Sequence, residues 1–360
     1  MKNINLTSTQ EMSFENEKIY IGLDVHSTSW KVTIRFGGQH FKTFSNAASV
    51  GELMNYLNKN FPKGDYYSVY EAGFCGFSVH RELEKQGIKS IIVNPADIPL
   101  SDKDRKFKSD TRDSKTLAEQ LEKENLRAIY IPTRQAEFFR SVFRLRESAK
   151  KDKQRIMNRI KMYLYTRGYR LGNNAWSKKS ITALRKRVKG TMSEFITIKL
   201  LNELKGQKIL IVKISKELKR LIKEQERKKE QQILETVPGI GPQTAITLLA
   251  EVITPDRFKS DGDFCSYIGL IPNTHSSGEK EKATGLTNRK NGKLRHAIIE
   301  SAWIATRNDP ELKLAYVRLC KRMRSTNAII RIAKKLAIRI KHLWTKMEVY
   351  QKNVNMVKEA

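Results

Sequence analysis

The stretch KIYIGLDV, residues 18–25, decides the fold of the first part of the chain. It is an apolar run that ends close to an acid, Asp24, and it is typical of a buried β-strand. The segment WKVTIRF (30–36) alternates apolar and polar residues and predicts a hairpin partner, with HSTS as the turn. QHFKTFS (39–45) favours a third strand. The sheet is therefore expected to begin with three strands that follow one another directly.

Helix and strand patterns alternate in the next segments. Residues 45–60 place apolar side chains at three-to-four spacing, which predicts a helix. The later segments are the strand YYSVYEA (66–72), the helix FSVHRELEKQG (77–87), the strand KSIIVNP (89–95) and the helix SDTRDSKTLAEQLEKEN (109–125). This order is that of a ribonuclease H-like α/β fold, which we expect over residues 18–130, after a polar tail at 1–17.

Two long polar stretches with sparse apolar positions follow, at residues 137–170 and 199–230. Their pattern predicts long helices and favours an antiparallel coiled-coil hairpin. The segment RGYRLGNNAWSKKS (167–180) is expected to break them, because it is rich in glycine and polar residues. We therefore assign residues 131–230 to a helical, coiled-coil connector.

A tight turn, PGIGP, lies between two helical patterns in ILETVPGIGPQTAITLLAEV (233–252). It is similar to a helix-hairpin-helix motif, in which Gly239 and Gly241 would let backbone N–H groups approach a phosphate. A Gly-rich turn between packed helices is the alternative. The other patterns predict a helix and loop at 260–272, a loop or small hairpin at 273–292 and helices at 294–308 and 327–347. We expect a mainly helical C-terminal domain over 231–350 and a tail at 351–360.

The chain is strongly basic, with a net charge of +31 and a pI of about 10.0. Residues 1–139 contain 19 Lys and Arg against 18 Asp and Glu, whereas residues 140–230 contain 28 against 8. Such a surplus favours a polyanionic partner. Nucleic acid suits it better than a membrane surface, because basic membrane anchors are usually short and amphipathic.

Three cysteines, Cys75, Cys265 and Cys320, form no CxxC pair, which argues against a disulfide framework and against a zinc site. The sequence has no run of 18 apolar residues and no signal-peptide core at its N-terminus. We therefore expect a cytoplasmic protein of a prokaryotic cell, associated with the nucleoid when active and without a membrane partner.

Four acids are predicted at one edge of the sheet. Asp24 ends the first strand, Glu71 ends a neighbouring strand, and Asp110 and Asp113 open a helix. Strand ends and helix starts converge on one edge of an α/β sheet. Grouped carboxylates require cations, and the pattern favours two Mg²⁺ ions, with Mn²⁺ as a substitute, of the kind that hold a phosphodiester. A single Asp at a strand end, taken alone, is more often a turn or cap residue.

Three blocks around these acids closely resemble the transposases of the insertion sequence 110 family. The blocks are IGLDVHSTSWKVTI, VYEAGFCG and KFKSDTRDSKTLAEQL. The family consists of DEDD-type enzymes with a RuvC-like domain. The resemblance implies that Asp24, Glu71, Asp110 and Asp113 are the catalytic carboxylates and the metal ligands.

A second block, FCSYIGLIPNTHSSGEKEKATGLTNRKNGKLRHAIIESAW (264–303), is similar to the C-terminal transposase domain of the same family. The matching residues are Pro272, Ser277, Gly278, Leu294 and Arg295. The resemblance implies that Ser277 is a nucleophile that bonds covalently to DNA, with Ser276 as its adjacent alternative. The order Asn291-Gly292 departs from the usual Gly-Asn of the family.

Basic residues in the middle of the chain and after Ser277 are candidates for nucleic-acid binding, with solvated surface charge as the alternative. They are Lys150, Lys151, Lys153, Arg155, Arg159, Arg185, Lys186, Arg187, Lys280, Lys282, Arg289, Lys290, Lys293 and Arg295. Few acids balance them, which favours contact with a phosphate backbone.

The resemblance implies a serine-type transposase with a split active site, acting on donor and target DNA. It also implies a structured guide RNA, the bridge RNA, and a homo-oligomer from dimer to tetramer. In this hypothesis Ser277 attacks a DNA phosphate, a 3′ hydroxyl is released, and strands are exchanged and rejoined.

Three alternatives stay open from the residues. A RuvC-like junction resolvase or nuclease would use water in place of serine. An actin-like kinase would suit the first hairpin but lacks later glycine-rich nucleotide-binding blocks. A non-enzymatic DNA-binding protein would leave the spaced carboxylates unexplained, because acids near phosphates weaken binding unless metals intervene.

Overall fold

The computed structural model describes residues 13–99, 110–277 and 280–351 and divides into two compact units. The N-terminal unit ends at Ile131 and the C-terminal unit begins at Pro132. The side chains of 110–111, 274–277 and 280–284 are outside the description.

Five strands of the N-terminal unit form one mixed sheet in the order β3-β2-β1-β4-β5. The strands are β1 (Lys18–Val25), β2 (Ser29–Phe36), β3 (Gln39–Ala47), β4 (Asp65–Glu71) and β5 (Lys89–Val93). The first three are joined in antiparallel pairs, while β1–β4 and β4–β5 are parallel. This mixed α/β arrangement is compatible with the ribonuclease H-like expectation.

The N-terminal unit has helices on both faces of the sheet: α1 (Val50–Asn60), α2 (Ser78–Lys85) and α3 (Asp110–Glu122). Helices α1 and α2 pack on the face that bears Ile19, Ile21 and Leu23 of β1. The predicted start of α1 at residue 45 is wrong, because residues 45–47 extend β3. The helix begins only after Ser49, whose hydroxyl accepts a hydrogen bond from the Glu52 amide at 3.4 Å.

Helix α3 packs on the opposite face, at Gly22 of β1. A Cβ on Gly22 would overlap the Ser114 carbonyl oxygen and lie 2.6 Å from the Ala118 amide nitrogen, so the helix backbone lies directly on the strand. The Ser114 hydroxyl is 2.9 Å from that of Thr33, the residue opposite Gly22 in β2. Only glycine allows this approach.

The other end of α3 is fixed by an ion pair. Arg35 of β2 donates to the Glu122 carboxylate at 2.6 Å, and the Gly38 amide donates to it at 2.9 Å. Arg35 lies opposite Tyr20, near the start of β1. Helix α3 therefore runs antiparallel to β1, and its N-terminal end lies toward the end of β1 at Asp24.

The C-terminal unit is mainly helical within its described residues. Its helices are α4 (Arg134–Tyr165), α5 (Lys178–Val188), α6 (Glu194–Glu224), α7 (Lys228–Thr236), α8 (Pro242–Glu251), α9 (Asp261–Ile268), α10 (Gly292–Asn308), α11 (Pro310–Cys320) and α12 (Ser325–Lys346). A two-stranded hairpin, β6 (Pro272–Ser277) and β7 (Lys280–Leu286), follows α9. Among the described residues, no helix is long and apolar enough to cross a membrane.

Helices α4 and α6 form an antiparallel pair. Arg146 donates to the Ser215 hydroxyl at 2.9 Å, and Arg159 lies 3.6 Å from the Glu203 carboxylate. As the residue number rises along α4 it falls along α6, which defines the antiparallel register. The segment between them is not only a break, as the sequence suggested, because it contains α5.

We expect Gly22→Ala to lower the melting temperature of the N-terminal unit strongly. The added methyl group must push α3 away from β1, at a cost of about 3 kcal/mol, typical of severe overpacking. Thermal unfolding followed by circular dichroism measures the effect. Gly51→Ala is the matched control, because its Cβ would meet only the Ser49 hydroxyl at 3.7 Å. Equal melting temperatures for Gly22→Ala and wild type would contradict the packing described.

Candidate active site

Asp24 and Glu71 lie on neighbouring parallel strands at the same level. Leu23 is opposite Tyr70 in the β1–β4 pair, so the next residue on each strand is Asp24 and Glu71. Leu23 and Tyr70 belong to the core under α1 and α2. Since successive residues of a strand point to opposite faces, both acids lie on the face that α3 covers.

The first turn of α3 lies at this edge of the sheet. Leu117 of α3 packs with Val69, which precedes Glu71 by two residues on the same face of β4. Asp113 is one turn before Leu117, on the side of the helix nearest β4. Position 110 is one turn before Ser114, which contacts β1 and β2, although the Asp110 side chain is outside the described part. Helix α3 thus places these two positions at the sheet edge that bears Asp24 and Glu71.

His26 is a contact of the site that the sequence analysis missed. Its Nε2 lies 3.2 Å from the Asp24 carboxylate, and its side chain is half exposed. The available signal was its position two residues after the strand-end acid, in Asp24-Val25-His26.

The chemistry of the described donors fits a hard divalent cation. Asp24 and Glu71 supply carboxylate oxygens, the ligands that Mg²⁺ prefers. Among the side chains that the structure describes, no three His, Cys, Asp or Glu groups are close enough together to hold a metal ion. This statement does not include Asp110, because its side chain is outside the described part of the chain.

Ser277 is the last residue of β6, in the hairpin of the C-terminal unit. The backbone register places Ser276 opposite Glu281 and Ser277 opposite Lys280, next to the turn. The predicted basic residues Lys280 and Lys282 are both on β7. The structure thus separates the site residues: the four acids belong to the N-terminal unit and the serine to the C-terminal unit.

The base of this hairpin is tied to the end of α9. The Thr287 amide donates to the Ile271 carbonyl at 3.1 Å, and the Asn291 amide donates to that of Tyr267 at 3.1 Å. Arg295, a predicted DNA contact, donates to the Thr287 carbonyl and packs over Gly269, where a Cβ would lie 2.5 Å from its guanidinium. Arg295 is partly buried, and burial lowers the pKa of its guanidinium. Arg295 therefore supports the hairpin base.

Glu251, at the end of α8, is a fully buried carboxylate that the sequence analysis did not assign to the site. Arg144 donates to it through two nitrogens, at 3.0 and 2.8 Å. Asn291 donates at 2.9 Å, and the Lys293 ammonium lies 3.8 Å away. Burial raises the pKa of Glu251, but Arg144, Asn291 and Lys293 outweigh it, so the pKa is below its usual value. Glu251 therefore stays ionised and connects α4, α8 and α10.

The predicted nucleic-acid residues lie in three places. Lys150, Lys151, Lys290 and Lys293 line one groove, together with Arg144. A second set lies along the connector: Arg155 pairs with Asp152 at 2.7 Å, Arg159 is near Glu203, and Arg185 donates to Asn202 at 2.7 Å. Lys153 is on α4, and Lys186 and Arg187 are on α5. The third set belongs to the serine hairpin and its base, where Arg289 is exposed after β7.

The two turn glycines have different surroundings. Gly239 has a positive φ of 87°, and a Cβ there would overlap the Ser301 carbonyl of α10. Its small size is therefore required by helix packing. Gly241 is exposed at the start of α8, with no neighbouring atom within 4 Å of a Cβ placed there.

Two family profiles match the chain, each in one half. Residues 21–166 match the DEDD transposase domain of IS110 type. Residues 231–317 match the transposase family described as IS116/IS110/IS902. Together the matches cover roughly two thirds of the chain and include Asp24, Glu71, Asp110, Asp113 and Ser277.

Similar proteins extend over most of the sequence. A predicted transposase of Sinorhizobium fredii, y4rJ, is 26% identical over 340 residues, which cover 82% of this chain and 83% of the relative. The transposase for insertion sequence element IS1111A of Coxiella burnetii is 25% identical and covers 77% and 78%, respectively. The transposase for IS1328 of Yersinia enterocolitica is 33% identical over 92 residues, covering 26% of this chain and 27% of that protein.

We expect Glu251→Gln to destabilise the C-terminal unit in a pH-dependent manner. Because the folded chain lowers the pKa of Glu251, the charge stabilises the fold above the ordinary carboxyl pKa of about 4.3, and this contribution is lost as the pH falls through the lowered value. The free energy of unfolding of the variant should be lower by about 2 kcal/mol at neutral pH, a value between those of exposed and buried ion pairs.

Thermal unfolding at neutral pH and below about pH 4 measures this difference, which should narrow in acid. Glu300→Gln, an exposed acid on the same groove, is the control and should change stability by less than about 0.5 kcal/mol. A gap between Glu251→Gln and wild type that is the same at every pH would contradict the buried charge.

Proposed function

We propose that this chain is a transposase of the IS110 family and recombines DNA through a covalent bond between Ser277 and a strand end. Carboxylates of the N-terminal unit would bind divalent metal ions beside the reacting phosphate. The family matches and the transposase relatives support a DNA-recombining enzyme. The serine intermediate, the metal and the RNA are the parts that we infer.

One observation supports the proposal most directly. Asp24 and Glu71 lie side by side on the sheet face that α3 covers, with Asp113 one turn before the helix residue that packs against the same strand. Three segments far apart in sequence thus contribute acids to one edge. Carboxylates that share one edge of a sheet repel one another, so an edge of this kind favours a cation.

Asp24, Glu71, Asp110 and Asp113 are the residues that would hold Mg²⁺, and Mn²⁺ has the same preference for oxygen ligands. Bound there, the metal would stabilise negative charge on a phosphate and lower the pKa of an oxygen nucleophile. His26 would orient the Asp24 carboxylate from the side.

The reaction that we propose conserves the number of phosphodiester bonds. The Ser277 Oγ attacks the phosphorus, the Oγ–P bond forms and the bond from phosphorus to the 3′ oxygen breaks. The proton lost by the serine is balanced by the proton that the leaving 3′ oxygen takes up to become a hydroxyl. Attack by the 3′ hydroxyl of another strand on the phosphoserine then rejoins the DNA and returns the proton to Ser277. A weak hydroxyl nucleophile needs activation, and the acidic edge is the proposed source.

We also propose donor DNA, target DNA and a structured bridge RNA as partners, bound by a homo-oligomer. Residues 140–230 contain 28 Lys and Arg against 8 Asp and Glu, and this positive charge supports a polynucleotide partner. Because the acids and the serine belong to different units, two copies of the chain in the homo-oligomer can each supply one part of the site.

We expect Ser277→Ala to abolish the covalent protein–DNA product. Without the hydroxyl no Oγ–P bond can form, and no other step of the proposal joins protein to DNA. Labelled DNA that migrates with the protein on a denaturing gel measures the product. Ser276→Ala is the control and should keep it. Covalent product from Ser277→Ala would contradict the assignment and point to another nucleophile such as Ser276, whereas full strand cleavage without any adduct would favour a water-using nuclease.

Removal of metal should stop strand cleavage while leaving DNA binding. Asp24→Asn, or chelation with EDTA, is expected to lower cleavage by about 10³-fold, because several kcal/mol of charge stabilisation are lost. Nicking of labelled DNA and a parallel binding assay separate the two effects. Asp65→Asn is the matched control, at the start of β4 and far from the acidic edge. Undiminished cleavage by Asp24→Asn would contradict the proposed metal site.

A further inference from the structure

A groove of about 890 Å³ lies between α4, α8 and the start of α10, within the C-terminal unit. Six cationic side chains line it: Arg144, Arg146, Lys150, Lys151, Lys290 and Lys293. Three carboxylates, Glu147, Glu251 and Glu300, line the same groove. The walls therefore have a net positive charge, and a volume of this size accommodates several linked groups of a ligand.

The carboxylates have distinct surroundings. Glu147 pairs with Arg146 and Lys150 at 3.0 Å each, and Glu300 is exposed. Glu251 is fully buried beneath the groove and takes the Nε and one terminal nitrogen of Arg144. The other terminal nitrogen of Arg144 takes no part in the pairing with Glu251. The Arg144 side chain is itself half exposed.

A buried acid is an unexpected part of a surface that attracts anions. It lowers the positive charge of the groove, and burying it costs desolvation free energy. In return it fixes the guanidinium plane of Arg144 and holds Asn291 and the Lys293 ammonium nearby. A fixed guanidinium loses less conformational freedom when it binds a phosphate. Glu251 therefore contributes orientation at the expense of net charge.

We propose that this groove binds the phosphodiester backbone of one nucleic-acid strand, and that Glu251 is the positioning residue that holds Arg144 and Lys293 for it. The proposal rests on the proposed function and extends it by naming a backbone site away from the acidic edge. Both DNA and RNA have this chemistry, and the test compares them.

The test compares two substitutions that remove the same charge from the same groove. Glu251→Gln and Glu300→Gln each make the groove more positive by one, so attraction by charge alone predicts tighter binding for both. Positioning predicts that Glu251→Gln weakens binding by about tenfold, the value of one charge-assisted hydrogen bond, while Glu300→Gln binds as well as wild type or better. Fluorescence anisotropy of the full chain with labelled duplex DNA and with labelled single-stranded RNA gives the affinities.

Two further variants keep the test decisive. Arg144→Lys retains the charge but cannot make the two-nitrogen contact, so it should weaken binding as much as Glu251→Gln does. It tests the same contact if Glu251→Gln unfolds at the assay temperature. Lys151→Ala should reduce the slope of log affinity against log salt by about 1 if the lysine contacts a phosphate. If these variants lower the affinity for DNA, for RNA or for both, that result identifies the nucleic acid that the groove binds.

The inference fails if Glu251→Gln and Glu300→Gln both tighten binding, or if Arg144→Lys and Lys151→Ala leave affinity and salt dependence unchanged. Failure of this kind is separate from failure of the proposed function. Cleavage that still requires Asp24 and Ser277 would leave the transposase chemistry intact while excluding the groove.

Discussion

The contact between the backbone of α3 and Gly22 is the constraint on which the acidic edge depends. A side chain at position 22 would overlap the Ser114 carbonyl, so the helix can lie on β1 only above a glycine. The ion pair from Arg35 to Glu122 fixes the opposite end and with it the direction of the helix. These two contacts bring the first turn of α3 to the edge of the sheet that bears Asp24 of β1 and Glu71 of β4. Acids from three segments thereby share one edge of the sheet.

In the C-terminal unit, the buried carboxylate of Glu251 fixes the relative positions of helices. Glu251 joins α4, α8 and the start of α10, and the segment from Thr287 to Asn291 connects this junction to the base of the serine hairpin. The hairpin strand β6 has six residues and spans roughly 20 Å at about 3.3 Å a residue. Ser277 therefore lies well away from its support, at the end of a two-stranded arm, which suits the nucleophile role that we propose for it.

The strands of the N-terminal unit could be predicted because their core is built from regular local patterns. Successive residues of IGLDV point in turn to the core under α1 and to the face under α3, and this alternation is visible in the local sequence. Helices α5 and α11 were missed, and each buries only two residues, Leu184 and Val188 in α5 and Leu312 and Leu319 in α11. Two apolar positions do not define a helical period on their own.

The candidate site divides in the same way. Asp24 and Glu71 could be selected from their positions at strand ends, but the importance of Glu251 depends on partners 107 and 40 residues away. No local spacing reveals which acid in an apolar helix will meet an arginine from another helix. The support role of Arg295 was missed for the same reason, since its contacts are at Gly269 and Thr287.

The most direct test of the account is the location of a bound metal. Crystals of the full chain soaked in Mn²⁺ should give an anomalous peak about 2.2 Å from carboxylate oxygens of both Asp24 and Glu71, because Mn²⁺ accepts the oxygen ligands that suit Mg²⁺. Anomalous peaks that avoid this edge at saturating Mn²⁺, or side chains of Asp24 and Glu71 on opposite faces of the sheet, would contradict it.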